Sequence, residues 1–201
     1  MKKLLACIMV LALLVVAGCG TTNPAPAPAP SNSEPAPVAA PVIKSGLGNV
    51  VSLGSSKSAT AEKPASTQAD VTMCAATFDE NGVILSVYFD VAQCKVAFDA
   101  EGQITTDLTA PFKTKKVLKD DYGMKGNSEI KKEWYEQAIA LEEWMVGKNV
   151  NDVLGVKVFE RDANHKAVPD VEELKSSVTI TIGDYLKALE NAYANAVEIS
   201  L

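Results

Sequence analysis

Ser176 and Thr179 are hydroxyls in the segment Ser176-Ser-Val-Thr-Ile-Thr-Ile182, which runs straight into the apolar stripe of a C-terminal helix. A helix start carries N–H groups without intrahelical partners and the positive end of the backbone dipole. Hydroxyls just before it are suited to seat a phosphate. Other chemistry-bearing residues are sparse. The one histidine, His165, lies in a polar turn, Asp162-Ala-Asn-His-Lys166, with no nucleophile beside it for a Ser-His or Cys-His arrangement. No Cys/His cluster has zinc spacing, and no glycine-rich phosphate loop follows a strand. Acids are plentiful, but none is marked as a catalytic pair. The expectation is a protein that is not an enzyme and holds no metal.

The N-terminus sets the compartment. Lys2 and Lys3 precede an apolar run from Leu4 to Ala17, the pattern of a secretory signal peptide. The run is shorter than the ~20 residues needed to span a bilayer as a helix. Val16-Ala-Gly-Cys19 at its end resembles the lipobox of bacterial lipoproteins. That resemblance implies cleavage after Gly18, a thioether-linked diacylglycerol on Cys19 and often an acylated new amine. Two or three acyl chains anchor a protein stably. The expected organisation is a lipoprotein signal peptide over 1–18, the lipidated Cys19 and a Pro/Ala-rich tether over 19–46, and an α+β domain over 47–201. The protein is then extracytoplasmic, held to a bacterial membrane through its lipid.

The tether reading rests on Pro24-Ala-Pro-Ala-Pro-Ala-Pro30 and its Ser/Thr/Asn-rich surroundings. Alternating proline favours extended polyproline II and leaves nothing to bury. At ~3.1 Å per residue such a segment spans up to roughly 80 Å. The formal charge of the chain is −6, and removal of Lys2 and Lys3 with the leader makes it two units more negative. Arg161 is the one arginine, and the lysine-rich segment Lys113–Lys125 mixes its lysines with acids, so nucleic acid is not an expected partner.

The domain opens on a repeat. Phe78-Asp-Glu-Asn-Gly-Val-Ile84 recurs as Phe98-Asp-Ala-Glu-Gly-Gln-Ile104. Asp-x-x-Gly between alternating apolar residues is turn chemistry, and the other ligand positions of a calcium loop are not filled. Val71 to Phe78 and Val83 to Val91 alternate with period two, so they read as antiparallel strands, with Val83, Leu85, Val87, Phe89 and Val91 on one face. An exported pair can form a disulfide, but that register sets Cys74 opposite Ser86 or Val87 rather than Cys94, so two buried, reduced thiols are expected ahead of a bridge. A short strand is expected near Val50-Val51, and a solvated loop or short helix over Lys113–Lys125. Asn127 or Ser128 is placed to cap a helix whose stripe is Ile130, Trp134, Ala138, Leu141 and Met145, with Gly147 ending it. A short helix near Asn149–Leu154 and a strand, Val156–Phe159, follow. Val178–Ile182 reads as a strand, Thr181-x-x-Asp184 as a capping-box-like start, and Ile182, Tyr185, Leu186, Leu189, Tyr193 and Ala196 as the last helical stripe.

Thr77 to Val87, Tyr122-Gly-Met-Lys125, Glu133-Trp-Tyr-Glu-Gln137, Val146-Gly-Lys148 and the Ser176–Leu189 ending together resemble a group of bacterial surface lipoproteins. That group is related to the FMN-binding domains of extracytoplasmic electron-transfer proteins. The resemblance covers roughly residues 45–201. It implies an α+β fold in which an antiparallel sheet of hairpins packs against two main helices. The family commonly carries Asp, two variable residues, then Ser/Thr-Gly-Ala-Ser/Thr, and a flavin transferase joins FMN to the last Thr through a phosphoester. Laid on this chain the acceptor is Thr179, and Ser176 also fits its position. Glu173, Ser177 and Val178 depart from the family's Asp, Gly and Ala. The implied function is a membrane-anchored flavin-based electron carrier with a redox partner. The alternative is a surface binding or structural lipoprotein without a cofactor.

Overall fold

The computed structural model describes residues 41–199. The signal peptide, Cys19 and the tether up to residue 40 lie outside the described residues. The fold is α+β. A four-stranded antiparallel sheet of order β3-β2-β1-β6 is built from β1 (Ile43–Ser52), β2 (Ser66–Asp79), β3 (Ile84–Ala97) and β6 (Val197–Ile199). A separate two-stranded ribbon pairs β4 (Val158–Phe159) with β5 (Val168–Pro169). The helices are α1 (Lys115–Leu118), α2 (Trp134–Met145), α3 (Val150–Leu154) and α4 (Gly183–Ala194). Helix α4 packs on β1 and β2, and α2 lies along β3.

The core forms where the inward face of β2 and β3 meets both long helices. Cys74, Phe78, Ile84, Phe89, Trp134, Leu141, Met145, Ile182 and Leu189 are all buried there. The helical stripes expected on α2 and α4 supply most of the opposite wall. Gly147, at φ +82°, follows α2, and the Asn149 side chain accepts the Asn151 N–H to start α3.

Several elements differ from expectation, each for a local reason. Strand β1 is ten residues long, not a short strand near Val50, and begins inside the range read as tether. Its inward positions include Gly46 and Gly48, where a Cβ would run into the Ala192 and Ala188 carbonyls of α4. Glycine at those positions erased the alternation that marks a strand. Beyond the three residues paired with β6, the edge of β1 is covered by side-chain amides. Asn195 Nδ2 donates to the Leu47 carbonyl (3.4 Å), and Asn191 Nδ2 to that of Asn49 (2.9 Å).

In the first hairpin Phe78 pairs with Ile84, and Thr77 with Ser86, leaving Leu85 as a bulge. Ile84 is therefore buried, and Leu85, expected inside, is 43% exposed. The later start of β3 and the bulge move the register by two residues. Cys74 faces Phe89, not Ser86 or Val87, and Cys94 faces Ala69. Both thiols are free; Cys74 is buried and Cys94 half-buried. Burial pushes the Cys74 thiol up to about 12. The second turn closes with one bridge, Phe98 to Ile104, and no strand follows it.

Helix α2 starts at Trp134, not at Asn127 or Ser128. Lys131 takes φ +53°, outside the helical region, and the Glu133 N–H instead donates to Glu136 Oε2 at 2.7 Å. Strand β4 is limited to Val158–Phe159. Val178–Ile182 forms no strand, the chain bending at Ile180, and Thr181 does not cap α4, whose N-cap position is Ile182.

Candidate functional site

The segment before α4 is pinned residue by residue. Leu174 and Val178 are each 1% exposed and Ile182 is fully buried. Between these anchors the chain turns, with Ser177 N–H and Val178 N–H both donating to the Leu174 carbonyl. Thr179 is half-buried. Its N–H and its hydroxyl both donate to Gln137 Oε1, at 2.8 and 3.3 Å. Gln137 is fully buried on α2, and its amide nitrogen donates to Ser128 Oγ and to the Lys132 carbonyl, both at 3.3 Å. A buried amide with both ends satisfied holds its geometry, and here it fixes Thr179.

Thr179 opens on a groove of about 200 Å³ lined by Asn127, Ser128, Glu129, Arg161 and His165. Arg161 Nη1 donates to the Thr179 carbonyl at 3.2 Å. The same guanidinium reaches Asp162 through Nε at 3.3 Å and stands 3.9 Å from Glu129. His165 Nδ1 lies 2.7 Å from Asp162 Oδ2 in the turn after Arg161. The His165 hydrogen bond, with the Asn164 N–H and Arg161 behind it, holds the Asp162 carboxyl down at about 2. The chain's single arginine and single histidine thus meet at Thr179.

A second depression of about 250 Å³ adjoins the first and shares Met124, His165 and Ile180 with it. Lys115, Trp134, Asn164, Thr181 and Tyr185 complete its lining. Lys115 Nζ lies 4.6 Å from the Tyr122 ring centre and 5.4 Å from that of Trp134, and makes no ion pair among the described residues. A cation over aromatic faces without a carboxylate keeps its charge available. Trp134 Nε1 donates to Tyr185 Oη at 2.8 Å, fixing both rings. Thr181 Oγ1 is buried and has no hydrogen-bond partner. Native proteins leave few such atoms, and each calls for an explanation.

The expected site residues fare differently. Thr179 lies in the groove. Ser176 is exposed in the preceding turn, does not line the groove, and is not brought together with Thr179. The hydroxyl nearest the start of α4 is that of Thr181, not Thr179. Gln137, Arg161, Lys115 and Thr181 were not legible as site residues. The one signal pointing to Gln137 was a polar residue set three positions after Trp134, beside an otherwise apolar stripe.

The three departures around Thr179 can be weighed against this geometry. The non-glycine residues with positive φ among the described ones are Lys119 and Lys131, so Ser177 occupies an ordinary backbone conformation. Glycine is not required there by the path of the chain. Val178 points into the core, where its extra methyl groups are accommodated. Glu173 is exposed. For a phosphate-bearing planar ligand Arg161, His165 and Lys115 offer donors, with Glu129 an opposing carboxylate in the groove, and Met124 and the small exposed parts of Trp134 and Tyr185 offer apolar contact. Among the described residues no group of His, Cys, Asp and Glu is arranged to hold a metal ion, and no helix is long and apolar enough to cross a membrane. No family model, curated protein or solved structure matches the chain.

Proposed function

We propose that this protein is a lipid-anchored, extracytoplasmic flavin carrier, with FMN joined to Thr179 and Cys19 as the lipid site. The observation that carries this reading is the meeting of Thr179 with Arg161 and His165 in one groove, next to a second depression walled by Trp134 and Tyr185. Bound FMN supplies reversible one- and two-electron chemistry; the protein's part is to bind, orient and tune it. Gln137 holds Thr179 through the backbone N–H, a bond that survives when the hydroxyl is esterified. Arg161, His165 and Lys115 would offset phosphate charge. Trp134, Tyr185 and Met124 would shield a planar ring from water. A ligand reaching from Thr179 to these rings has to lie along both depressions, since small-molecule sites run to roughly 300–1,000 Å³. The role is electron transfer with a redox partner rather than catalysis, after attachment by a flavin transferase.

The second reading, a surface binding or structural lipoprotein without a cofactor, is favoured by one observation. The Thr179 hydroxyl already has an acceptor in Gln137, which suffices as a structural role. Co-expression with an active flavin transferase decides between the two. In-gel flavin fluorescence on a denaturing gel, lost in Thr179→Ala, is the expected result. No signal from the unaltered protein, with a positive control labelled, overturns covalent attachment.

A further inference from the structure

The two copies of the Phe-Asp-x-x-Gly repeat have different fates. Phe78 is fully buried and meets Tyr193 edge to face at 4.9 Å between ring centres. Phe98 sits in the equivalent turn position but joins no part of the hydrophobic core. It is half-buried, and with Pro64 it floors a cleft of about 550 Å³ at the open end of the β2–β3 hairpin. That volume lies within the range of small-molecule sites.

The rim of this cleft is basic in an acidic protein. Asp and Glu outnumber Lys and Arg by 25 to 19 over the chain, yet Lys57, Lys63 and Lys95 line the cleft and no carboxylate does. None of the three lysines forms an ion pair among the described residues. The flanking acids are Glu62, beside Lys63, and Asp99 and Glu101, in the turn after Phe98. Asp99 Oδ1 is engaged by the Gln103 N–H at 2.7 Å. The walls are hydrogen-bonded in place. Lys57 and Ser66 exchange backbone bonds at 2.8 and 2.9 Å, Thr60 N–H donates to the Lys63 carbonyl at 2.8 Å, and Phe98 N–H donates to the Ala65 carbonyl.

We propose that this cleft binds a small organic anion with a planar or apolar body, its acidic group among Lys57, Lys63 and Lys95 and its body on Phe98 and Pro64. Lys57 and Lys63 come from the β1–β2 connection and Lys95 from β3, so these lysines form no basic run in the sequence. A neutral ligand leaves the lysines unused, and an inorganic anion leaves the apolar floor unused. The cleft shares no lining residue with the groove at Thr179, so the proposal stands apart from the flavin reading.

The test is a titration of the full chain with naphthoate, followed by the amide ¹H–¹⁵N shifts of Ala65, Ser66 and Phe98. Naphthalenemethanol is the neutral control and inorganic phosphate the bare anion. Saturable shifts at these amides with naphthoate, and weaker binding of both controls, are expected. Lys57→Gln with Lys95→Gln should weaken naphthoate by about threefold or more per lysine, while Lys57→Arg with Lys95→Arg retains it. Absence of saturable shifts overturns the site. Equal binding of naphthalenemethanol overturns the role of the lysines, equal binding of phosphate overturns the role of Phe98, and an unweakened glutamine double variant overturns the placement.

Discussion

Glu142, on α2, reaches the edge of the sheet, where its Oε1 accepts the Phe89 N–H at 2.6 Å. The same oxygen takes the Lys116 ammonium at 2.5 Å, and both side chains of that ion pair are about nine-tenths buried. Strand β3 is an edge strand, so this carboxylate satisfies a backbone donor that has no neighbouring strand. Lys116 also lies 3.5 Å above the Tyr88 ring centre. Removing one partner of a buried pair strands the other charge, which is the costly case. Glu142→Ala should destabilise by about 3 kcal/mol in chemical denaturation. Glu142→Gln keeps an acceptor for Phe89 but still isolates Lys116, and should cost about 1–3 kcal/mol. Equal stability of wild type and Glu142→Ala would refute the assigned role.

Burial raises the Glu142 carboxyl above the usual range, against the opposing pull of Lys116 and the Phe89 N–H. Its pH effect has a defined sign. The folded chain binds this proton more tightly than the unfolded one. The group's contribution is therefore fully present below the unfolded value and is lost as pH rises through the raised folded value. Asp162 has the opposite sign, because its carboxyl is held near 2. Its contribution is present above the unfolded carboxylate range and is lost as pH falls toward 2. Side-chain carboxyl titration by NMR should therefore find Glu142 above and Asp162 below the ordinary aspartate and glutamate range. His165→Asn should move the Asp162 midpoint upward, since the histidine is the largest cause of the depression. An unmoved midpoint would assign it to the backbone instead.

Helix α4 can approach β1 because Gly46 and Gly48 carry no side chain, and the atoms a Cβ would meet are backbone carbonyls of α4 that cannot rotate away. Gly48→Ala should cost at least the 1–3 kcal/mol typical of overpacking, read as a lowered denaturation midpoint. Gly82 differs, with φ +79° and Tyr193 Oη 2.8 Å from an added Cβ. Gly82→Val should destabilise by about 1 kcal/mol or more through backbone strain alone. Gly102→Ala has the same φ problem with open space around it, so it should be the milder of the pair. If Gly102→Ala cost as much as Gly82→Val, the Tyr193 contact would carry no weight.

The antiparallel sheet and the two main helices were legible because period-two and helical stripes survive wherever one face is buried. Trp134, Ala138, Leu141 and Met145 all face the core as their spacing demands. Strand β1 was largely hidden because its buried positions hold Gly46 and Gly48, which carry no hydrophobic signal. The β2–β3 register was missed because a bulge at Leu85 is a choice between near-equal local geometries, settled by burying Ile84. At the site, Thr179 was marked by the family resemblance of the Ser176–Leu189 ending, but nothing marked its neighbours. Gln137 and Arg161 reach it from distant segments, Lys115 lines the adjoining depression, and the Gln137–Thr179 pairing is set by how α2 packs against the turn before α4. Thr181 looked like a cap because its spacing to Asp184 suits one, yet the backbone enters the helix one residue later.

Thr179 and Thr181 give the most discriminating pair of substitutions. Both residues are half-buried and two positions apart, but Thr179 Oγ1 has an acceptor and the buried Thr181 Oγ1 has none. In protein free of flavin, Thr181→Val removes an unpaired buried hydroxyl while keeping the side-chain shape, so it should be neutral or stabilising, by up to about 1 kcal/mol. Thr179→Val removes the donor to Gln137 Oε1 but leaves that oxygen the Thr179 N–H, so the cost should stay near 1 kcal/mol. Covalent labelling separates them further. Thr179→Val should abolish in-gel flavin fluorescence, and Thr179→Ser should retain it. Thr181→Val should keep the label and, if its hydroxyl contacts the bound ligand, shift the flavin absorbance. Ser177→Gly tests the remaining departure, and because Ser177 has an ordinary backbone conformation it should not raise the labelling yield. A large gain in that variant would mean that the transferase, rather than the path of the chain, requires the glycine.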